Sequence, residues 1–262
     1  MILLSIYPAL SLSYDTYQVI LFSWIALAII VFFVLLKITA PYGRHTTTKW
    51  GPAISNRIGW ILMEAPVLLV LLWFVLPAKD QLSIASWLML GMFCFHYVNR
   101  IFIFPFRIRT RGKTMPLLIV LSAIFFNLMN GFSLGYYFGN FANYTNQWLT
   151  DPRFVMGSLL FILGMAINWK ADSDLISLRK PGETHYVIPN SNLFRWISCP
   201  NLFGELIEWL GFAILCWNLP ACTFLIWTAA NLIPRAMSHH QWYKQKFVDY
   251  PQDRKAIIPF LL

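Results

Sequence analysis

The chain has 262 residues, 58% hydrophobic and only 12% charged, with a mean hydropathy of +0.58. A soluble domain carries about 25% charged residues, so this balance excludes a water-soluble protein and implies a polytopic membrane protein. Lys and Arg outnumber the acids 20 to 11, a formal net charge of +9. They collect between apolar runs, as the positive-inside rule requires, and no RNA- or DNA-binding motif accompanies them, so nucleic acid is not an expected partner.

Thr16 to Lys37 is almost unbroken apolar sequence, enough to cross the hydrocarbon core as a helix. It lacks a basic n-region and a small-residue cleavage site, and is expected to be a retained first span. Arg44, His45, Lys49 and Arg57 follow it. A second apolar run, Ile58 to Leu76, carries Glu64 and Pro66, and a short link through Lys79 and Asp80 leads to a third, about Leu82 to Phe104. The basic loop of Arg107, Arg109, Arg111 and Lys113 precedes a fourth span, about Met115 to Phe138, which contains Asn127 and Asn130. The fifth is about Arg153 to Trp169, and the last two, about Leu202 to Cys216 and Leu219 to Met237, are joined by a tight turn at Asn218 and Pro220. His239 to Leu262 reads as a basic tail with an apolar end.

Seven spans put the first, third and fifth connections and the tail on one side, and these regions hold most of the Lys and Arg. That side is expected to be cytoplasmic, with the N-terminus outside or lumenal. The expected fold is all-α: one membrane-embedded bundle of seven transmembrane helices, without repeat or second domain, its substrate side mainly 16–138 and its cofactor side mainly 153–262. The membrane is the endoplasmic reticulum in a eukaryote or the inner membrane in a bacterium. Cys94, Cys199, Cys216 and Cys222 lack metal-ligand spacing and read as free buried thiols. His239 and His240 have no supporting ligand at suitable spacing, so no metal is expected.

The polar stretch Asn168 to Trp209 organises the functional reading. Asn168 and Asp172 are four apart, as are Asn201 and Glu205, with Glu208 three further on, so on helices each set lines one face. Between them lie Arg179, Lys180, the Pro181 Gly182 turn pair and Glu183. Acids and amides hold ribose and carboxamide groups, and Arg forks onto phosphate oxygens, so a nucleotide cofactor fits. The bland alternative is a solvated loop with snorkelling charges. Glu205 and Glu208, however, fall inside an apolar run, where ionisable groups are costly and mark function.

Glu64 lies among apolar side chains, either as the structural partner of a buried Arg or as an acid that orients substrate. His96, Tyr97, Asn99 and Arg100 form a second polar cluster in which Tyr97 and Arg100 are one turn apart. A phenol beside a cation can give a proton to a carbonyl oxygen, although an interfacial Tyr with a snorkelling Arg is also common in membranes. There is no P-loop, Rossmann GxGxxG or Ser/His/Asp arrangement. A cytoplasmic nucleotide-suited loop beside a buried acid and a Tyr/Arg cluster points to reduction of a lipid. A seven-span receptor or transporter, the non-enzyme alternative, requires neither Arg179 nor Glu205 beside such a loop.

At these residues the sequence resembles the steroid 5-alpha-reductase family, most closely its steroid-reducing branch. The strings are LRKPGE (Leu178 to Glu183), YVIP (Tyr186 to Pro189), NLFGELIEW (Asn201 to Trp209) and DYPQDRKAIIPF (Asp249 to Phe260), with HYVNR (His96 to Arg100) and the Glu64 environment upstream. The resemblance implies an enzyme that uses NADPH to reduce the double bond of a 3-oxo-Δ4 steroid entering from the bilayer, with membrane lipid around it and no obligate protein partner. By matched position it implies cofactor contacts at Asn168, Asp172, Arg179, Tyr186, Asn201, Glu205, Arg235, His239 and Tyr243, to which the basic loop adds Arg111 and Lys113. Glu64 and Tyr97 resemble the family pair that hydrogen-bonds the 3-ketone, with Arg100 beside them on the substrate side, so that hydride reaches C5 and a proton C4. The alternative within the superfamily is a reductase of a polyprenol-type or enoyl-thioester lipid; Glu64 with Tyr97 favours a ketone.

Overall fold

The structure is a computed structural model that describes residues 11–109, 112–178 and 186–262. Its helices are α1 (Tyr14–Lys37), α2 (Asn56–Val75), α3 (Ile84–Val98), the short α4 (Phe104–Arg107), α5 (Leu117–Asn140), α6 (Pro152–Ser177), α7 (Pro200–Cys216) and α8 (Leu219–Lys246). Five segments, Tyr14–Lys37, Asn56–Gln81, Ile84–Arg107, Leu117–Asn140 and Pro152–Ser177, are long and apolar enough to cross a membrane. The chain is therefore a helical membrane protein. Its outer face carries Phe33, Leu69 and Leu159 more than half exposed, a surface that suits lipid and not water.

Local sequence sets the helix starts. Ser13, Ser83, Asp151 and Asn218 each accept a hydrogen bond from a first-turn backbone N–H, and α6, α7 and α8 carry Pro in that turn, where its missing N–H costs nothing.

Glycines set how closely the helices approach. On the antiparallel pair α6 and α7, Gly157 lies against Gly211 and Leu215, and Gly164 against Gly204 and Glu208. A Cβ added at Gly204 would come within 2.5 Å of Asn168 N, and one at Gly157 within 2.6 Å of Gly211 O, so the two backbones are in direct contact. Small residues at regular spacing are the means by which helices associate in lipid. Gly131 and Gly135 of α5 do the same against Val67 and Leu71 of the parallel α2. α1 packs along α8 through Trp24 and Trp227, whose ring centroids are 4.3 Å apart.

At one end the connections meet. Strand β1 (Ala53–Ser55) pairs antiparallel with β2 (Thr114–Pro116), the Asn56 N–H donates to Lys113 O, and the Leu117 N–H donates to Pro52 O. This short ladder is a local departure from the all-α expectation, which the helices otherwise bear out. It forms because the loops leading into the adjacent helices α2 and α5 run side by side, and three residues are too few to show a period of two. The C-terminal tail returns to the same end, where the Ser198 N–H donates to Lys255 O, and Arg254 donates to Pro189 O and to Asn190 Oδ1.

Two further expectations need correction. The stretch from His239 is not tail until Phe247, because α8 continues to Lys246 and buries Tyr243. The four cysteines are free, but Cys222 is exposed on α8 and Cys94, packed at the edge of the core, is only partly buried.

Candidate active site

Three helices build the first half of the site. Asn127 of α5 donates from Nδ2 to Met63 O of α2 at 2.5 Å and to Glu64 Oε2 at 3.4 Å, and its Oδ1 accepts from the Tyr97 hydroxyl of α3 at 3.4 Å. One amide thus holds an acid and a phenol in fixed relation. Just beyond Tyr97 the chain widens into a π-turn, Asn99–Ile103, a feature that often marks functional sites. The turn carries Arg100, whose Nη2 lies 3.7 Å from Glu64 Oε1 and whose guanidinium packs against the rings of Trp60 and Phe104 at 4.5 and 4.8 Å. Glu64 therefore does face a buried Arg, but 3.7 Å is too long for a hydrogen bond, so the carboxyl keeps bonding capacity for another donor or acceptor.

The α6/α7 seam builds the second half. The Asn168 amide donates to Asn201 O at 3.0 Å, and the Asn201 amide donates to Asp172 Oδ1 at 3.0 Å. Glu205, one turn beyond Asn201, interacts electrostatically with Arg100, Glu64 and Asp172, which joins the two halves. Next to them His96 Nδ1 lies 2.7 Å from Glu208 Oε1. Asn168, Asp172, Asn201, Glu205, Glu64, Tyr97 and Arg100 are thus assembled in one region; the sequence spacing predicts only that Asn168 with Asp172, and Asn201 with Glu205, share a helix face.

A basic, aromatic cluster lies at the end where the loops meet. Arg235 of α8 donates to Ala40 O at 2.7 Å and to Tyr42 O at 2.6 Å and stacks on the Tyr42 ring, pinning that strand of chain to the helix. The segment turns at Gly43, whose φ of +64° favours glycine. His45 Nε2 and His239 Nδ1 are 3.0 Å apart with their rings stacked. Burial and the neighbouring Arg235 and Arg44 push the His45 imidazole down to about 4, so it is neutral at pH 7. The Arg44 guanidinium sits over Tyr243, Trp242 and Tyr186, at 4.6, 5.0 and 5.4 Å from their ring centroids, and its Nη1 is buried without a hydrogen-bond partner among the described residues. Lys113 donates to the Tyr186 hydroxyl at 3.4 Å. No carboxylate pairs with Arg44, Lys113 or Arg235 among the described residues, an arrangement that suits an anion.

Of the expected cofactor contacts, Lys113, Tyr186, Arg235, His239 and Tyr243 fall in this cluster. Arg111 and Arg179 lie outside the described residues. Arg44 and Asn127 are the residues sequence reasoning passes over. A polar amide in an apolar run was the signal for Asn127, whereas Arg44 looks like any loop cation until its three aromatic neighbours are seen.

Comparison with known proteins bears on the whole assembly. Residues 113–262 match the family model for 3-oxo-5-alpha-steroid 4-dehydrogenase. The chain is 42% identical over 238 residues to 3-oxo-5-alpha-steroid 4-dehydrogenase 1 of Bos taurus, covering 89% of this chain and 92% of that one. It is 40% identical over 233 residues to steroid 5-alpha-reductase DET2 of Gossypium hirsutum (87% and 90% covered), and 40% identical over 222 residues to 3-oxo-5-alpha-steroid 4-dehydrogenase 1 of Homo sapiens (84% and 85%). Matches of that length take in the helices of Glu64 and Tyr97 as well as those of Asn201 and Glu205, and the chain belongs to the 3-oxo-5-alpha-steroid 4-dehydrogenase family.

Proposed function

We propose that the protein reduces the Δ4 double bond of 3-oxo-Δ4 steroids to 5α-dihydro steroids with NADPH. The observation that carries this reading is the single amide, Asn127, holding the Glu64 carboxyl and the Tyr97 phenol together next to the Asn168–Asn201–Asp172 chain. In it, Glu64 and Tyr97 hydrogen-bond the steroid 3-ketone and draw electron density from the enone, and Arg100 steadies the Glu64 carboxyl. Donors fixed in a dry site in this way are typically worth about 3–4 kcal/mol at the transition state.

The residues fit a phosphorylated dinucleotide. Asn168, Asp172, Asn201 and Glu205 would hold amide and hydroxyl groups. Arg44, whose Nη1 has no partner among the described residues, Lys113, Tyr186, His239 and Tyr243, together with Arg111 and Arg179, would hold phosphates and base, while Arg235 keeps the 40–42 backbone in place. NADPH, when bound, supplies the hydride to C5. Interdigitated glycines on α6 and α7 keep that wall closely packed.

In this reading α7 and α8 cross the membrane with the other five, making seven spans. The loop-bearing end, with Arg44, Lys113 and the tail, faces the cytoplasm and supplies the cofactor, the N-terminus is lumenal or outside, and the steroid enters from the bilayer. The eukaryotic relatives favour the endoplasmic reticulum. The test is incubation of the purified chain with NADPH and progesterone or testosterone, and mass spectrometry for the 5α-dihydro product. Turnover of an enoyl lipid with no steroid product would reject the steroid reading.

A further inference from the structure

His96 and Glu208 have no part in the roles above, yet both are almost wholly buried, at 3% and 0% exposure. Their contact is a 2.7 Å hydrogen bond between Nδ1 and Oε1, and Glu208 Oε2 has no partner among the described residues. A buried carboxyl oxygen left bare is costly, so Oε2 is a seat for an added donor such as a water. The pair belongs to the same charge cluster as the site. His96 and Glu208 both interact with Glu205 and Arg100, and Tyr97 interacts with Glu64, Glu205, Arg100 and Glu208. Asp172 joins through Arg100 and Glu205. The His96 and Tyr97 rings are 5.2 Å apart. Four carboxyl groups, Glu64, Asp172, Glu205 and Glu208, therefore gather around the Arg100 guanidinium, with Arg107 also acting on Asp172. Carboxyl groups brought this close repel one another when charged, so positive charge arriving nearby favours release of a proton held among them.

We propose that His96 and Glu208 share an exchangeable proton that is released to C4 of the steroid. The inference rests on the reductase reading. NADPH, when bound, would supply two electrons and one hydrogen to C5 as hydride, leaving the steroid as its enolate and NADP+ as the other product. One proton from the pair, carried by water at Oε2, forms the C4–H bond, and the pair is left one charge more negative, facing the new cation. Water returns the proton after product leaves, so atoms and charge balance. His96 and Glu208 act at a distance from the reacting atoms and are positioning residues.

The experiment compares proton release on binding NADP+ and NADPH, by calorimetry in buffers of different ionisation enthalpy. The 2′-phosphate is common to both cofactors and cancels. The wild-type chain releases about half a proton or more extra with NADP+ at neutral pH, and Glu208→Gln abolishes the difference while still binding NADPH. In turnover, Glu208→Gln lowers kcat about 100-fold and raises the solvent deuterium isotope effect, because proton delivery has become slow. An unchanged difference in Glu208→Gln overturns the proposal. So does a double variant, His96→Leu with Glu208→Met, that binds NADPH and reduces steroid at the wild-type rate, since apolar replacement of a buried pair preserves packing. Loss of NADPH binding in both variants makes the pair a folding element and overturns it too. Wild-type chain that binds NADPH but reduces no 3-oxo-Δ4 steroid is failure of the reductase reading instead, and the proton-release difference still decides whether the pair stores a proton.

Discussion

Replacing Gly164 with Ala should do the opposite of what the same change does elsewhere on these helices. In a helix interior Ala is normally about 0.5–1 kcal/mol better than Gly, because it has less backbone freedom to lose. At Gly91 of α3, where an added Cβ meets nothing within 4 Å, Gly→Ala should bring that gain. At Gly164 the Cβ would lie 2.5 Å from Gly204 O and 2.6 Å from Glu208 Cα, whereas ordinary contact begins at 3.4 Å. These neighbours are backbone and cannot swing away, and Glu208 N is nearer still, so α7 must retreat by at least about 0.9 Å. Overpacking of this kind costs about 1–3 kcal/mol, and with an unyielding neighbour the net loss should be about 2 kcal/mol, a fall in Tm of about 4–8 °C for a chain of this size. The retreat also stretches the Asn168–Asn201 bond, now 3.0 Å, to about 3.9 Å, beyond hydrogen-bonding range, so NADPH affinity should fall as well. Thermal unfolding of the detergent-solubilised variants, with NADPH titration by fluorescence, measures both. Equal stabilisation by Gly164→Ala and Gly91→Ala would refute the close-contact seam.

Four other outcomes follow from the site. Glu64→Gln should bind NADPH as well as wild type yet lose about 10²–10³ in kcat, the usual cost of removing one transition-state donor; a variant that neither binds cofactor nor folds would make Glu64 structural. Asn127→Leu should lose about 1–3 kcal/mol of stability, from the Met63 carbonyl left bare in a buried place, and lower kcat more than Asn130→Leu, as parallel unfolding and rate measurements would show. If Arg44 contacts the 2′-phosphate, the one phosphate NADH lacks, Arg44→Ala should weaken NADPH about 10–100-fold and NADH much less, the worth of one charged hydrogen bond; equal weakening of both cofactors would count against that contact. His45 gives a pH dependence. Its folded value of about 4 lies below the ordinary 6.5, so the unfolded chain binds the proton more readily, and stability is lost as pH falls from 6.5 towards 4. For a half-buried ring the loss, discounted for solvent screening, should be about 1 kcal/mol, and His45→Asn should flatten that part of the stability curve.

Much of this was legible in the sequence because membrane helices write themselves in long apolar runs. The first four spans were placed within a few residues, since twenty apolar residues leave no competing structure; the fifth was ended at Trp169, eight residues short, because polar residues follow on a helix that continues to Ser177. Asn168, Asp172, Asn201 and Glu205 could be grouped in advance because helical spacing of costly polar residues is a local signal. Contacts between distant segments were not legible. Nothing near Arg44 in sequence announces that Tyr186, Trp242 and Tyr243 will stack around it, and nothing near His96 announces Glu208, more than a hundred residues away. The β1/β2 ladder was missed because its strands owe their pairing to the helices they precede. The glycines of α6 and α7 could have been noticed, since Gly157 and Gly164, and Gly204 and Gly211, are each seven residues apart on helices. The extension of α8 past His239 was hidden by polar residues that cover a helix still anchored by Tyr243.

The most direct test follows the hydride. With NADPH deuterated at the transferable ring position and a 3-oxo-Δ4 steroid in ordinary water, the purified chain should yield a 5α-dihydro product carrying one deuterium at C5 and solvent hydrogen at C4, and Glu64→Gln should slow its formation without moving the label. Deuterium at C4, or a product formed without label from the cofactor, would contradict the account.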